Sequence, residues 1–323
     1  MKKIYLLLSV FVVIFTSCET DFDVNSNWEE VTVVYGLLDS GEGEQIQQIK
    51  ISKGFLGEMD ALDMAQYADS INFDEGELAV KVIRIQNNGI TDTISLNEVL
   101  TLRDPGIFYD SIMMYTFIND NFLNSNSEYE LLIKNNITGN QVSSKTNIVS
   151  NFDFDNVFRN NKAFQFGFYN NGDYSVSTIT WDDSNDNGKI YQLDLVINYT
   201  ENSEVKELVF SQDLIDDSDS KISIEGERFF NFLREEITKD NSKERYFNNI
   251  DLVMTVGSED LDTYIKVNEP NRSIVQQRPK FTNIDNGIGL FSSRYTKIRY
   301  GFPLTSSSID FLKSIDGLDR NFK

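Results

Sequence analysis

The chain has 323 residues, 40% of them hydrophobic, with 29 basic against 51 acidic side chains and a net charge of −22. It contains no histidine and a single cysteine, which excludes a Ser-His-Asp triad, a Cys-His pair, a His-ligated metal, an intramolecular disulfide and a thiolate zinc site. The length suits two domains, and so acidic a surface repels nucleic acid, so no nucleic-acid partner is expected.

Residues 1–17 read as a signal peptide. Lys2 and Lys3 open it, Ile4 to Phe15 is an apolar run, and Thr16-Ser17 lead into Cys18. About a dozen apolar residues fall short of the ~20 that a membrane-spanning helix needs. Small residues before a cysteine at the end of such a run resemble the lipobox of bacterial lipoproteins, which implies cleavage before Cys18 and acylation of that residue. Lipidation also accounts for the lone cysteine, since a free thiol in an oxidising compartment is open to intermolecular pairing. Acyl chains such as palmitate contribute ~0.8 kcal/mol per buried methylene, so several of them anchor the protein stably in the outer membrane. Glu19, Asp21 and Asp23 follow directly and resemble the acidic signal that sends Bacteroidota lipoproteins to the cell exterior; a solvated tether over residues 18–28 is the plainer alternative. Loss of residues 1–17 removes two lysines and no acid, leaving 27 basic against 51 acidic side chains and a net charge of −24.

Val31 to Leu38 and Gln45 to Ser52 are rich in β-branched residues and flank the turn-forming Asp39-Ser40-Gly41-Glu42-Gly43, so they read as paired strands. A helix is expected over Met59 to Ala68. Leu78 to Ile85 alternates cleanly, and Asn87-Asn88-Gly89 then predicts a hairpin into Thr91 to Leu96. Tyr129 to Ile133 and Val142 to Ile148 repeat the pattern around a turn at Asn135 to Gly139. About six strands over residues 29–150 predict a β-sandwich domain, because strands with one apolar face bury it against a second sheet. Residues 151–161 are dense in Asn and Asp, which places a boundary there and a second, β-rich domain with short helices over 151–323. The expected fold class is mainly β, with two β-sandwich-like (Ig-like) domains.

In the second half, strands are expected at Ala163 to Tyr169, Tyr174 to Trp181, Ile190 to Tyr199, Val205 to Phe210 and Ile250 to Val256. Phe229, Phe230, Leu233 and Ile237 share one face of a helix over Glu227 to Thr238, a stripe that reads as core rather than as an aromatic ligand patch. Ser258 is expected to cap a short helix, with Glu259 and Asp260 favourably placed in its first turn. Phe281 to Phe302 carries the last strands, and Ile309 to Ile315 a short helix. Positive charge is scattered, with its densest groups at Arg272 to Lys280 and Arg294 to Arg299.

One segment has the spacing of a calcium loop. Asp183, Asn185 and Asn187, then Gly188 and, after five residues, Asp194 match the pattern in which side-chain oxygens surround the ion and glycine makes the bend. It lies between strands instead of helices and ends on Asp where a bidentate Glu is preferred, so a polar hairpin turn is the favoured reading and weak calcium binding the alternative. No other cofactor is expected. The Asn286-Gly287-Ile288-Gly289 run precedes a strand where a phosphate loop would precede a helix, so the glycines answer a backbone need: positive φ or close approach of a neighbouring strand.

Several of these segments together resemble a Bacteroidota outer-membrane lipoprotein family known as domain of unknown function 4249. They are Phe281 to Phe291 with its Asn-Gly-Ile-Gly, the strand and acidic helix start over Asp251 to Ile265, Tyr35-Gly36-Leu37, Tyr129 to Ile133 with Gly139 and Thr146, and Thr180-Trp181-Asp182 before Tyr191. The similarity covers nearly the whole chain after Cys18, but Asp183 stands where the family's Trp-Asp-Pro has proline. The resemblance implies a lipid-anchored protein, often encoded beside TonB-dependent transporters, and brings no catalytic residues with it. The expected function is therefore a non-catalytic surface lipoprotein that captures a ligand or serves such a transporter as an accessory subunit. A structural or adhesive envelope protein is the first alternative, and a carboxylate-dependent hydrolase the second.

Overall fold

In the first strands, alternation decides which side chains turn inward: Val34, Leu38, Ile49 and Ile51 are fully buried, while Tyr35 and Ile46 stay exposed on the other face. The computed structural model describes residues 29–42, 45–56, 71–87, 89–102, 111–155, 158–159, 162–182, 187–216, 220–269 and 280–323. The helix expected over Met59 to Ala68 lies outside them. The first half holds β1 (Glu29–Asp39), β2 (Ile46–Leu56), β3 (Leu78–Gln86), β4 (Gly89–Ser95), β5 (Asn97–Leu102), β6 (Ser111–Ile118), β7 (Glu128–Asn135) and β8 (Gln141–Asn147). The second half adds the short strands β9 (Phe158–Arg159), β10 (Lys162–Ala163), β11 (Tyr169–Asn170) and β12 (Asp173–Tyr174), followed by β13 (Val176–Thr180), β14 (Ile190–Glu201), β15 (Glu204–Ser211), β16 (Ile215–Asp216) and β17 (Lys221–Glu225). Helix α1 (Gly226–Glu236), β18 (Arg245–Gly257), helix α2 (Glu259–Asn268), β19 (Ile288–Phe302) and helix α3 (Ser306–Lys313) complete it. The protein is mainly β, as expected, and no helix among the described residues is long and apolar enough to cross a membrane.

One nine-stranded sheet runs through the molecule in the order β15-β14-β18-β19-β1-β2-β6-β5, with β16 also on β14. Its central pair, β1 and β19, is parallel and sets Tyr35 opposite Leu290 and Asp39 opposite Arg294. A four-stranded sheet, β4-β3-β7-β8, covers one end of it. Between the two sheets lies the first core, where Val34, Ile49 and Tyr115 meet Val80, Val82, Tyr129 and Leu131. At the other end Leu193, Leu195, Leu252 and Met254 of the large sheet pack against Ile179 and Ile224 of the β13–β17 pair and against α1. The stripe expected on α1 is core: Phe229, Phe230, Leu233 and the following Ile237 are all buried, and Phe229 stacks on Phe168 at 4.1 Å.

The sheet does not stop at the expected boundary near residue 151. β19 supplies Phe291 to the first core and Tyr295 and Phe302 to the second, so residues from the far end of the chain complete the first half. β5 and β6 extend the sheet beyond the six strands expected in that half.

Three local expectations are corrected. Ala163 to Tyr169 is not one continuous strand: its ends fall in β10 and β11, Phe166 makes only an isolated bridge to Leu304, and the amides of Phe168 and Tyr169 donate to Ser308 Oγ of α3 at 2.9 and 3.0 Å. Residues 281–287 are irregular, since the Asn283 side chain folds back and takes both backbone groups of Phe291, at 3.0 and 2.7 Å. Ser258 stands at the N-cap of α2 but makes no cap bond, because its hydroxyl pairs with Ser292 Oγ at 2.5 Å. The glycine run does answer a backbone need: Gly289 has φ +118°, and a Cβ there would lie 1.9 Å from the Val34 carbonyl oxygen of the adjoining strand.

Candidate functional site

The register of the three central strands lines up side chains in rows across the outer face of the large sheet. Leu290, Tyr35 and Lys50 form one row, Ser292 and Leu37 the next, and Arg294 and Asp39 a third. Helix α2 is fixed over this face at one end. The Ser258 amide donates to the Ser293 carbonyl at 3.1 Å, beside the Ser258–Ser292 hydroxyl pair. Gly257 lets the helix lie close, since a Cβ there would stand 2.7 Å from Leu261 Cδ2.

The helix covers only part of the rows, leaving a cleft of about 610 Å³ beside it, within the range of ligand pockets. Leu261, Tyr264 and Ile265 form the helical wall, while Tyr35, Leu37 and Leu290 make the floor. Ile46 and Gln48 border it along β2, and Asp39, Arg294 and Thr296 form its polar end.

The tyrosines meet edge to face with ring centroids 6.1 Å apart, and the Tyr264 hydroxyl donates to the Tyr35 hydroxyl at 3.3 Å. That hydrogen bond, with burial adding to it, pushes the Tyr264 phenol up to about 12. The Tyr264 ring therefore stays neutral at physiological pH. Lys50, opposite Tyr35 on β2, holds its ammonium 5.9 Å from that ring's centroid.

At the polar end Asp39 is 8% exposed and every carboxylate site is used. Oδ1 accepts from the Gly41 and Thr296 amides at 2.9 and 3.2 Å, and Oδ2 from the Thr296 hydroxyl at 2.7 Å and Arg294 Nε at 3.0 Å. The buried Gln47 amide closes on the Asp39 backbone from β2, accepting from its N–H at 2.7 Å and donating to its carbonyl at 3.0 Å. Asp39 is thus spent on holding Arg294, whose side chain remains 45% exposed. The two terminal guanidinium nitrogens make no hydrogen bond among the described residues.

Cys18, Glu19, Asp21 and Asp23 lie outside the described residues, as do Asp183 and Asn185 of the calcium pattern. Of its other members, Asn187 has φ +68° and donates Nδ2 to the Ile148 carbonyl at 3.1 Å. Asp194 sits four residues into β14, opposite Val253 and Ser211, so its Cα is about 13 Å along the strand from Ile190. The described residues contain no group of three or more acidic or cysteine side chains placed to hold a metal.

Sequence reasoning used Tyr35 as a mark of resemblance, took Tyr264 as part of the short helix after Ser258, placed Asp39 in a turn, and took Arg294 as part of a diffuse basic group. Within β1 the adjacent apolar pairs Val33-Val34 and Leu37-Leu38 blur the alternation that would have put Tyr35, Leu37 and Asp39 on one face. Its partner strand lies far along the chain, and no local pattern shows that pairing. No family model, curated protein or solved structure matches the chain.

Proposed function

We propose that the protein is a non-catalytic lipoprotein, anchored in the outer membrane through Cys18 and displayed at the cell exterior, which captures a ligand in the cleft beside α2 as an accessory subunit of a TonB-dependent transporter. The observation that carries the capture role is the cleft's polar end. A carboxylate with all its sites filled holds an arginine in place, an arrangement suited to binding because it offers no free base or nucleophile to a ligand. The anchoring role rests on the apolar run ending at Cys18 and on the resemblance to the Bacteroidota lipoprotein family. A tether of eleven residues, 18–28, spans at most about 40 Å. The folded body therefore stays within reach of a membrane-embedded partner. We further read the two cores as Ig-like sandwich units; the paired sheets around the first core favour this.

The test is affinity capture from detergent-solubilised outer membranes, with Cys18 intact. Recovery of a TonB-dependent transporter in stoichiometric amount is expected. Repeated recovery of a matrix polymer or another surface component without the transporter would overturn the accessory role.

A further inference from the structure

We infer that the cleft takes a small amphiphilic carboxylate: one carboxylate received by Arg294, with an apolar body lying between α2 and the floor of β1 and β19. The inference rests on the cleft being the ligand site. Three features define the ligand. The first is the unspent chemistry at the polar end, where Arg294 gives Nε to Asp39 and keeps both terminal nitrogens without a hydrogen-bond partner among the described residues. Those groups form a planar pair of donors matched to the two oxygens of a carboxylate. Asp39 has no acceptor site left for a cationic ligand, because each of its oxygens already receives two donors.

The second feature is the wall, where Leu37, Leu290, Leu261 and Ile265 offer aliphatic surface and the Tyr35–Tyr264 pair offers ring edges. A fully polar anion would leave that surface in water and gain only the arginine. The third is scale, since a volume of about 610 Å³ admits a drug-sized body and excludes a folded partner. The net charge of −22 opposes any anion at a distance, but charges beyond ~8 Å are screened at physiological salt, whereas Arg294 lines the cleft and acts at contact range.

The experiment compares 4-phenylbutyrate with its neutral isostere 4-phenylbutyramide by titration calorimetry and ligand-observed NMR on the full folded chain. The carboxylate is expected to bind at least about tenfold more tightly, the scale of charge-assisted hydrogen bonds to a fixed arginine. In Arg294→Gln that preference disappears while the amide keeps its affinity, and in Ile46→Trp, which fills the open border along β2, both probes weaken. Arg294 is half exposed and Asp39 retains three other donors, so the glutamine variant should fold, as a thermal melt will verify. Should it not fold, the probe pair on the unaltered protein still decides. Equal binding of the two probes, a preference that survives Arg294→Gln, or no binding of either at millimolar concentration overturns the inference. A transporter recovered by affinity capture alongside silent probes would remove the carboxylate site and leave the accessory role standing.

Discussion

Lys297 is 1% exposed, yet truncating its exposed partner should damage the protein more than removing its charge. From the inner face of β19 its ammonium donates to Asn151 Oδ1 at 2.7 Å, to Asp153 Oδ1 at 2.8 Å and to the Phe152 carbonyl, and it stands 5.3 Å from the Phe152 ring centroid. It thereby pins the segment that crosses between the cores to the strand that joins them. Lys297→Met keeps the length and loses the charge. It strands one carbonyl, at ~1–3 kcal/mol, and gives up ring contacts of ~0.5–2 kcal/mol. Against that, several kcal/mol of ammonium desolvation are no longer incurred, and the thioether regains ~0.3–1.5 kcal/mol on the same rings. The sum should stay within about 1.5 kcal/mol of wild type. Asp153→Ala leaves the buried ammonium with only neutral acceptors. Breaking a buried pair in this way costs ~3–5 kcal/mol, reduced here to about 2 because the Asp153 side chain is 68% exposed and water can enter. Asp153 itself is not stranded by Lys297→Met, since Arg299 Nη2 lies 3.1 Å away. Urea unfolding followed by the fluorescence of Trp181, buried in the second core, measures all three variants. The double variant should match Lys297→Met alone, a coupling of about 2 kcal/mol. Independent addition of the two changes, or Lys297→Met proving the more damaging, would refute the reasoning.

Gly289→Ala should remove most soluble protein in an expression and solubility assay, because positive φ and a Cβ 1.9 Å from Val34 O oppose the central pairing by about 3 kcal/mol or more. Stability should decline in acid. The Lys297 hydrogen bond holds the Asp153 carboxyl below its ordinary 3.8, and Lys243, with Arg245, holds Glu201 below its ordinary 4.5. Both contributions are present above those values and lost as pH falls through the depressed ones, so Glu201→Gln should flatten the acid limb of a stability profile; an unchanged limb would deny that group a role. The expected hairpin turn between Asp183 and Asp194 is not formed, because β13 before it pairs with β17 and β14 after it pairs with β15 and β18 in a different sheet. Thermal melts with chelator and with millimolar calcium should still coincide, since an ion at 100 times its dissociation constant would add ~2.7 kcal/mol; a calcium-dependent rise lost in Asp183→Ala would show that this segment binds the ion. Cys18→Ala should abolish incorporation of labelled palmitate, and a normally acylated product would end the case for the anchor.

What the chain disclosed in advance was local. Alternation in Leu78 to Gln86 and the helical stripe of Phe229, Phe230 and Leu233 each reveal a buried face, because period and apolarity coincide within a few residues. β5 and β6 were missed: Val99, Leu100 and Leu102 are exposed at the rim of the sheet, and Met113 and Met114 dilute the β-branched signal in the next strand. Residues 163–169 look like a strand by composition, but their amides go to scattered acceptors, with Phe166 on the Pro303 carbonyl, Gly167 on Ser177 Oγ, and Phe168 and Tyr169 on Ser308 of α3. The cleft was least legible. Asp39 reads as a turn former until Arg294 and Thr296 stand beside it, and nothing in either local segment names the other.

Pairing between β1 and β19 joins positions 255 residues apart, which imposes an order of assembly on the chain. Closing so long a loop comes late, so β1 waits with one edge bare while most of the chain is synthesised. During that interval the unsatisfied amides and carbonyls of Val33 to Asp39 form a template for any extended segment nearby. A product ending before residue 288 would contain most of the first core and still lack the strand that seals it. Such fragments should aggregate instead of folding as half-molecules.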